Sequence, residues 1–600
     1  MKILLTCTTI EEFHRIETDH DSHYPLGLGY LHSYLESLDK GYDIVTRFLN
    51  NVTQEECMRV LKKDLEEFRP DVVGISMMTH SRVGAFKFIE YIEENYPHIK
   101  IVIGGMHVSV MYRQLAEHYK NVVSVVGEGE ITLGEILDRW ETGTSLADVN
   151  GIAFHDGEKV VVTPGRELIE DLDVLPFPKH DLFLWEGKTM AGLLTSRGCP
   201  YKCNFCVLDA ASRRKVRCRS AANIVDEVEM ILKEHPTIHT VWIHDDAFMI
   251  IKDRTIEFCK EIIRRGVKTQ FVCSARFRPI SREVVMLMKE AGFVHVLFGL
   301  ESGAPNVMKL MRKGLTQKAV RHALKLFSET GIKATAFMIT GLPGETEETI
   351  NQTIDFLQEL QEIHYLYYDD IGVAGIYPGT ELFTLAKEAK LEVPDYGVID
   401  DAFWLTGRDV PWYEVENTYE TMLRWREKTR NSISLDRIVK TPENFLQQRK
   451  LIPQIIQYSW RYGLHGIIAQ VMQILNTDQE LTMSTLKTVF LDGDQTKHLN
   501  AVYSAFEKGL IHTLFQSMDL EQKNAFKKAY ELQVVEDRKT IARWHETQTR
   551  ENSGVETSKN QKHSEAVVNN DGTMVNPIDD GGFDDDRKRK VPKQSLNVIQ

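Results

Sequence analysis

The sequence predicts an α/β protein: an amino-terminal doubly wound, flavodoxin-like (Rossmann-like) domain, a second βα series of six units, and a helical carboxyl-terminal domain. Strand and helix periodicities alternate five times within residues 1–142. They alternate again from Gly192 onward, and beyond Asp401 only helical spacing remains.

In the first part, strands fall near Lys2–Thr6, Asp43–Arg47, Asp71–Ser76, Ile99–Ile103 and Val122–Val126. Amphipathic helices fall near Leu26–Leu38, Gln54–Phe68, Arg82–Asn95, Met111–Tyr119 and Ile131–Trp140. Short apolar runs separated by amphipathic helices imply a parallel sheet covered on both faces. Ligands of such sheets bind beyond the carboxyl ends of the strands. The first of those loops ends in Tyr24-Pro25-Leu26-Gly27-Leu28-Gly29, and the third strand leads into Ser76-Met77-Met78-Thr79-His80-Ser81. The fourth leads into Gly104-Gly105-Met106-His107-Val108-Ser109 and the fifth into Gly127-Glu128-Gly129-Glu130. Glycines there let the backbone approach a flat ligand or adopt positive φ.

Residues 143–185 read as a linker with a hairpin, Gly151–Phe154 against Lys159–Val162, followed by an extended crossing at Leu175-Pro176-Phe177-Pro178. Residues 186–400 carry strand-like runs near Leu193–Ser196, Val241–His244, Gln270–Ser274, Val294–Leu300, Lys333–Thr340 and Asp370–Ile376. Helical stretches such as Ala222–Glu234 and Glu283–Ala291 separate them. In residues 401–545 the helices are Glu414–Arg430, Glu443–Tyr462, Gly466–Leu475 and Leu499–Met518. Trp404, Trp412, Tyr413, Trp460 and Tyr462 read as core rather than as a cap on a cavity, and Ile455–Leu475 as a buried helix pair rather than a lipid contact. Residues 546–600 are polar, poor in aromatics and end with a basic run at Arg587–Lys590, the composition of a disordered tail.

Bulk properties narrow the class. A net charge of −15 argues against a nucleic-acid partner, which favours a basic face. Eight cysteines, three of them in one motif, do not make a secreted disulfide framework. The amino terminus lacks a signal-peptide core, and no run of about 18 apolar residues is present to span a membrane. The chain reads as cytoplasmic.

The most specific signal is Cys199-Pro200-Tyr201-Lys202-Cys203-Asn204-Phe205-Cys206, which follows the first strand of the second series. A closed zinc or iron–sulfur site takes four protein ligands. Three clustered thiolates instead hold a 4Fe–4S cube by three corners and leave one iron open. Half a zinc ribbon completed by Cys218 is the alternative, but no second CxxC follows downstream. Cys218, Cys259 and Cys273 are widely separated and read as structural.

The cysteine spacing, with an aromatic before the last cysteine, resembles the radical S-adenosylmethionine superfamily. The glycine loops resemble the cobalamin-binding domain that precedes many of its members. The resemblance covers residues 1–400 and implies a partial (β/α)6 barrel at 186–400. It implies a 4Fe–4S cluster on Cys199, Cys203 and Cys206, S-adenosyl-L-methionine on the open iron, and reductive cleavage to a radical that attacks unactivated carbon. Phe205 would meet the adenine, and Asp245, Arg276, Glu301 and Gly341 would supply further cofactor contacts. For Asp245, Arg276 and Glu301 an internal ion-pair network is the competing role. Asp245 stands where the wider superfamily often has Gly-Gly-Glu, a triplet absent here. Cobalamin would be lined by Pro25, Leu26, Gly27, Ser76, Gly104, Gly105, His107, Ser109, Gly127 and Gly129. A flavodoxin-like scaffold without a corrin is the alternative for this domain. The Asp-x-His-x-x-Gly signature is broken, since Asp21 and His23 are followed by glycine one place late at Gly27, so cobalt is expected without a histidine ligand.

The expected function is cobalamin-dependent methyl transfer to an unactivated carbon of a small molecule or lipid, with a reducing partner such as flavodoxin or ferredoxin. Alternatives are a cobalamin-dependent radical cyclase or rearrangement enzyme and, in another class, a cobalamin sensor or carrier with a degenerate barrel. An RNA methylthiotransferase would want a second cysteine trio, which Cys7 and Cys57 do not supply.

Overall fold

Five apolar runs, β1 (Lys2–Cys7), β2 (Asp43–Arg47), β3 (Val72–Ser76), β4 (Lys100–Gly104) and β5 (Val122–Val125), pair in parallel in the order β2-β1-β3-β4-β5. Helices α1 (Leu26–Ser37), α2 (Gln54–Glu67), α3 (Arg82–Asn95), α4 (Met106–His118) and α5 (Glu130–Thr142) connect them. Such an order reverses direction between β1 and β3, which opens a crevice at the carboxyl ends of those two strands. The computed structural model describes residues 1–9, 25–49, 52–184, 188–208, 212–277, 280–364, 366–400 and 410–433, all within the unit Met1–Phe526.

Local chemistry explains the boundaries. Thr53 caps α2, its hydroxyl accepting the Glu56 N–H at 3.2 Å, with Glu55 and Glu56 in the positive first turn. Gly143 ends α5 in the left-handed conformation. The helix expected at Met111–Tyr119 begins instead at Met106. Gly105, at φ +100°, turns the chain within one residue, and a Cβ there would lie 2.7 Å from the Met77 carbonyl oxygen. The Gly-Gly pair is thus a tight strand-to-helix turn, and His107 and Ser109 sit in the first turn of α4 rather than in a loop.

The hairpin expected in the linker is β6 (Ile152–His155) against β7 (Val160–Val162). It is not free-standing. β6 pairs antiparallel with β5, so the first sheet has seven strands.

The second sheet holds six parallel strands in the order β15-β14-β13-β12-β11-β8. They are β8 (Met190–Leu193), β11 (Thr240–Ile243), β12 (Gln270–Ala275), β13 (Phe293–Glu301), β14 (Lys333–Thr340) and β15 (Leu366–Val373). Between β8 and β11 lie a two-stranded ribbon, β9 (Ser196–Arg197) with β10 (Arg217–Cys218), and α6 (Ala221–Glu234). The remaining helices are α7 (Lys252–Arg265), α8 (Arg282–Glu290), α9 (Pro305–Leu310), α10 (Gln317–Thr330), α11 (Glu347–Ile363), α12 (Glu381–Glu388) and α13 (Tyr419–Ile433). The first and last strands start earlier than expected because pairing recruits them: Thr240 aligns with Met190, and Ala334 with Leu366. Phe248, Phe258, Phe271 and Phe293 form an aromatic layer in this core, with centroids 5.3–6.1 Å apart. Cys259 and Cys273 are buried in the same core as free thiols.

Of the carboxyl-terminal helices, the first is α13; the other three, Trp404, Trp460, Tyr462 and the tail lie outside the described residues. Tyr413 is core, and Trp412 stacks on Tyr419 at 5.4 Å. Among the described residues no helix is long and apolar enough to cross a membrane.

Two buried carboxyl groups give testable consequences. Glu227 of α6 is fully buried and accepts from His180 Nε2 at 2.7 Å and from Arg219 Nη1, tying the connector to the second sheet. Glu227→Gln leaves Arg219 without its counter-charge and is expected to cost about 3 kcal/mol, read as a lowered urea midpoint. Burial pushes Glu345, in the loop after β14, up to about 8, against the N–H bonds it accepts from Gly341 and Leu342 and with Glu416 adding to the rise. A carboxyl raised in the folded state stabilises below its unfolded pKa and loses that contribution as pH climbs through the folded value. Wild type is therefore expected to lose thermal stability between about pH 5 and 8 more steeply than Glu345→Gln, measured as Tm against pH.

Candidate active site at the mouths of the two sheets

The short strand β9 delivers the chain to the cysteine loop, and a buried carboxylate fixes where it arrives. Asp245, just after β11, is 1 % exposed. It accepts from the N–H groups of Thr195 at 2.6 Å and Ser196 at 3.0 Å, from both their hydroxyls, and from Arg254 Nη2 at 3.2 Å. This corrects the expectation that Asp245 contacts a cofactor: its oxygens are spent inside the protein. Its neighbour Asp246 is the exposed one, and its Oδ2 accepts the Gly198 N–H at 3.0 Å. Surrounding protein still desolvates Asp246 and pushes its carboxyl up to about 6, against that N–H bond and aided by the Asp245 charge. Gly198 stands at φ +96°, where a Cβ would collide with the Lys215 carbonyl oxygen, so only glycine makes this turn into Cys199.

The cysteine loop is pinned from both sides. The Asn204 N–H donates to Met311 O at 3.3 Å, and the Leu382 N–H donates to Asn204 O at 3.1 Å. Cys199, Cys203 and Cys206 are free thiols, and Cys206 is exposed. Burial pushes the Cys199 and Cys206 thiols up; Asp246 and Cys203 raise Cys199 further, and Cys203 and Cys199 raise Cys206. Arg276 works the other way on Cys199. The three sulfurs do not lie within 4.8 Å of one another, as ligands of a single zinc ion must. A four-iron cube places each thiolate on a different iron, which suits the wider spread.

Arg276, at the end of β12, lies over the Tyr201 ring at 3.3 Å and reaches Cys203 Sγ at 3.9 Å. Its Nη2 is buried without a hydrogen-bond partner, a donor aimed at a missing acceptor. Phe205 packs against the core of the second sheet, with Lys313 Nζ 5.8 Å from its ring. Lys313 in turn pairs with Glu301 Oε1 at 2.5 Å. Glu301 is therefore engaged in an ion pair rather than free, and its φ of +64° stores backbone strain at the end of β13. Gly341, at φ +88°, is buried where a Cβ would collide with Met422 of α13, so it serves packing and not an open contact as expected.

On the first sheet the expected corrin-facing residues divide. Gly27 and Gly127 have no atom within 4 Å of where a Cβ would stand, and Gly104 only Val125 at 3.9 Å, which leaves room for a flat ligand. Met78, after β3, presents an apolar side chain that is 52 % exposed at the crevice. Ser109 Oγ donates to Gly105 O and accepts the Gly127 N–H, each at 3.0 Å, and so joins two loops. Pro25 and Ser76 are half-buried, and Gly129 caps α5 against Leu31. Two expectations are corrected. Leu26 is core, packed with Phe183 and Ile231. His107 is fully buried, its Nε2 bonded to Tyr396 O at 2.9 Å and its Nδ1 to Thr79 Oγ1 at 3.1 Å. His23 lies outside the described residues.

The two mouths meet. His80 Nε2 and the Tyr377 hydroxyl are 2.9 Å apart across the sheets, and a Cβ on Gly379 would touch Val110 at 2.7 Å and Val207 at 3.1 Å. Arg197, two residues before Cys199, reaches Glu128 in the loop after β5 and Glu130 at the start of α5. Arg197 and Lys313 were not singled out by sequence; for Arg197, adjacency to the cysteine motif was the available signal.

Residues 193–357 match the Radical SAM superfamily and residues 16–137 the B12 binding domain. An uncharacterized methyltransferase of Pyrococcus horikoshii is 29 % identical over 368 residues, covering 60 % of this chain and 78 % of its own. An anaerobic magnesium-protoporphyrin IX monomethyl ester cyclase of Rubrivivax gelatinosus is 31 % identical over 55 % of this chain and 61 % of its own length. The structure of the cobalamin-dependent S-adenosylmethionine radical enzyme OxsB with aqua-cobalamin bound superposes with a TM-score of 0.58 at 18 % identity, over 88 % of this chain and 84 % of that one. The cofactors that go with the two domains are a 4Fe–4S cluster, S-adenosylmethionine and cobalamin, and the open glycine loops, the three free thiols and the orphan donor of Arg276 are compatible with all three. The chain is a B12-binding radical S-adenosylmethionine enzyme.

Proposed function

We propose that this enzyme methylates an unactivated carbon of a small molecule or lipid, with residues 1–142 as the cobalamin domain and 186–400 as the radical barrel. One observation carries the reading: the cysteine loop and the glycine loops of the first sheet are joined directly through Arg197, Glu128 and Glu130. A substrate in the seam between them would face both cofactors. The likeness to the uncharacterized methyltransferase of Pyrococcus horikoshii points to the same reaction class.

Cys199, Cys203 and Cys206 would hold the cluster, and the exposed Cys206 marks its solvent side. Arg276 would give its unpartnered Nη2 to the carboxylate of S-adenosylmethionine, a charge-assisted bond. Phe205 would flank the adenine. Glu301 would act through Lys313, which it holds near the Phe205 ring. Gly27, Ser76, Gly104, Gly127 and Gly129 would line the corrin, while Gly105 and Ser109 shape the turn behind it. When bound, the cluster supplies the electron that cleaves S-adenosylmethionine, and cobalamin carries a methyl group. The electron would come from a flavodoxin- or ferredoxin-type partner in a reducing cytoplasm.

A cyclase is the second reading, favoured by the identity to the Rubrivivax enzyme, because ring closure draws on the same two domains.

Anaerobically reconstituted protein is expected to bind about four irons and one cobalamin per chain. With reductant and substrate it should form both 5′-deoxyadenosine and S-adenosylhomocysteine; deoxyadenosine without S-adenosylhomocysteine supports the cyclase, and a chain that takes up zinc and no corrin overturns both. Gly198→Ala forces a Cβ into Lys215 O and is expected to lower bound iron by at least about tenfold while cobalamin still binds, an outcome checked by iron and corrin absorbance on one sample.

A further inference from the structure

Arg197 is a partly buried cation held between the two sheets. Its Nη1 donates to Glu128 Oε1 at 2.9 Å and its Nη2 to Glu130 Oε1 at 2.6 Å, while its guanidinium lies 5.0 Å over the Tyr30 ring. Glu128 is also held by Arg217, whose Nη1 reaches both carboxylate oxygens at 2.9 and 2.7 Å and the Ile169 carbonyl at 2.7 Å. The Ile169 N–H completes the shell of Glu128 at 2.9 Å. Burial alone would raise the Glu128 carboxyl, but the Arg217 bond, the Arg197 charge and the Ile169 N–H together hold it below the ordinary range, so it stands as a charged pivot.

The two carboxylates alternate with the two glycines Gly127 and Gly129 where the loop after β5 enters α5. Gly127 bonds through Ser109 to the turn after β4. On the other side, Arg197 continues through Gly198 directly into Cys199, and the preceding Thr195 and Ser196 are anchored to Asp245. A continuous hydrogen-bonded path thus runs from one loop set to the other, with the Arg197 guanidinium as its junction across the two sheets.

We propose that Arg197 is a positioning residue that couples the two cofactor pockets, so that S-adenosylmethionine on the cysteine loop alters the affinity of the glycine loops for cobalamin. The proposal rests on the loop assignments made above. The path would need two arrangements, one for each occupancy of the cysteine loop, and a guanidinium that bridges two carboxylates through separate nitrogens transmits such a shift better than a single point charge. Coupling of this kind is reciprocal: cobalamin must alter the affinity for S-adenosylmethionine by the same factor.

The test is titration of hydroxocobalamin into cluster-loaded, oxidised enzyme with and without S-adenosylmethionine, followed by absorbance. Wild type is expected to show at least about a fivefold difference in Kd. Arg197→Gln is expected to reduce it to under about twofold with bound iron unchanged, and Glu130→Gln, which leaves the Glu128–Arg217 pair intact, to do the same. Arg197→Lys should restore part of the difference. A brace without coupling would lower Tm in the variants and leave the Kd ratio as in wild type, which would overturn the proposal, as would a wild-type ratio near one. Failure of wild type to bind hydroxocobalamin at all would instead remove the cobalamin assignment on which it rests.

Discussion

The Asp245 carboxylate organises the mouth of the second sheet. A buried charge is tolerated only when its lost hydration is replaced, and here two backbone N–H groups, two hydroxyls and Arg254 replace it. Four of those donors belong to Thr195 and Ser196 at the entry to β9, so the same bonds that satisfy the charge fix the path of the chain into Gly198 and Cys199. Remove that constraint and the entry into the cysteine motif loses its anchor, leaving the loop held by the Asn204 bonds to Met311 and Leu382.

A second layer of constraint links the sheets. The Glu128–Arg197–Glu130 and Glu128–Arg217 pairs, the Glu227–His180–Arg219 cluster and the His80–Tyr377 bond all cross between the first sheet or its connector and the second. Buried pairs of this kind contribute less to net stability than their number suggests, because each group gives up water. Their value is geometric: they set the distance and register between two ligand-facing mouths, which apolar packing alone specifies only loosely.

The glycines illustrate the same division of labour. Gly105, Gly198 and Gly341 are required by close backbone or side-chain approach, whereas Gly27 and Gly127 face open space. The first kind builds the frame and the second leaves room on its surface. Both read alike as letters in a loop, so sequence inspection assigned Gly105 and Gly341 to ligand contact along with the others.

Periodicity by itself determined the sequence of elements, because a parallel strand buried on both faces and an amphipathic helix leave different apolar spacings that survive without any tertiary information. The cysteine trio was equally legible, since its chemistry depends on spacing within eight residues. What the sequence could not separate was the pair of roles open to a polar residue at a strand end, contact with a ligand or satisfaction of the protein's own polar groups. Asp245, Glu301 and His107 took the second role because donors or acceptors distant in sequence, on Thr195, Lys313 and Tyr396, come within hydrogen-bond reach only once the sheets fold. The start of α4 and the joining of β6 to the first sheet were likewise decided by strand pairing and by the contact of Gly105 with Met77, interactions between segments whose proximity no local pattern records.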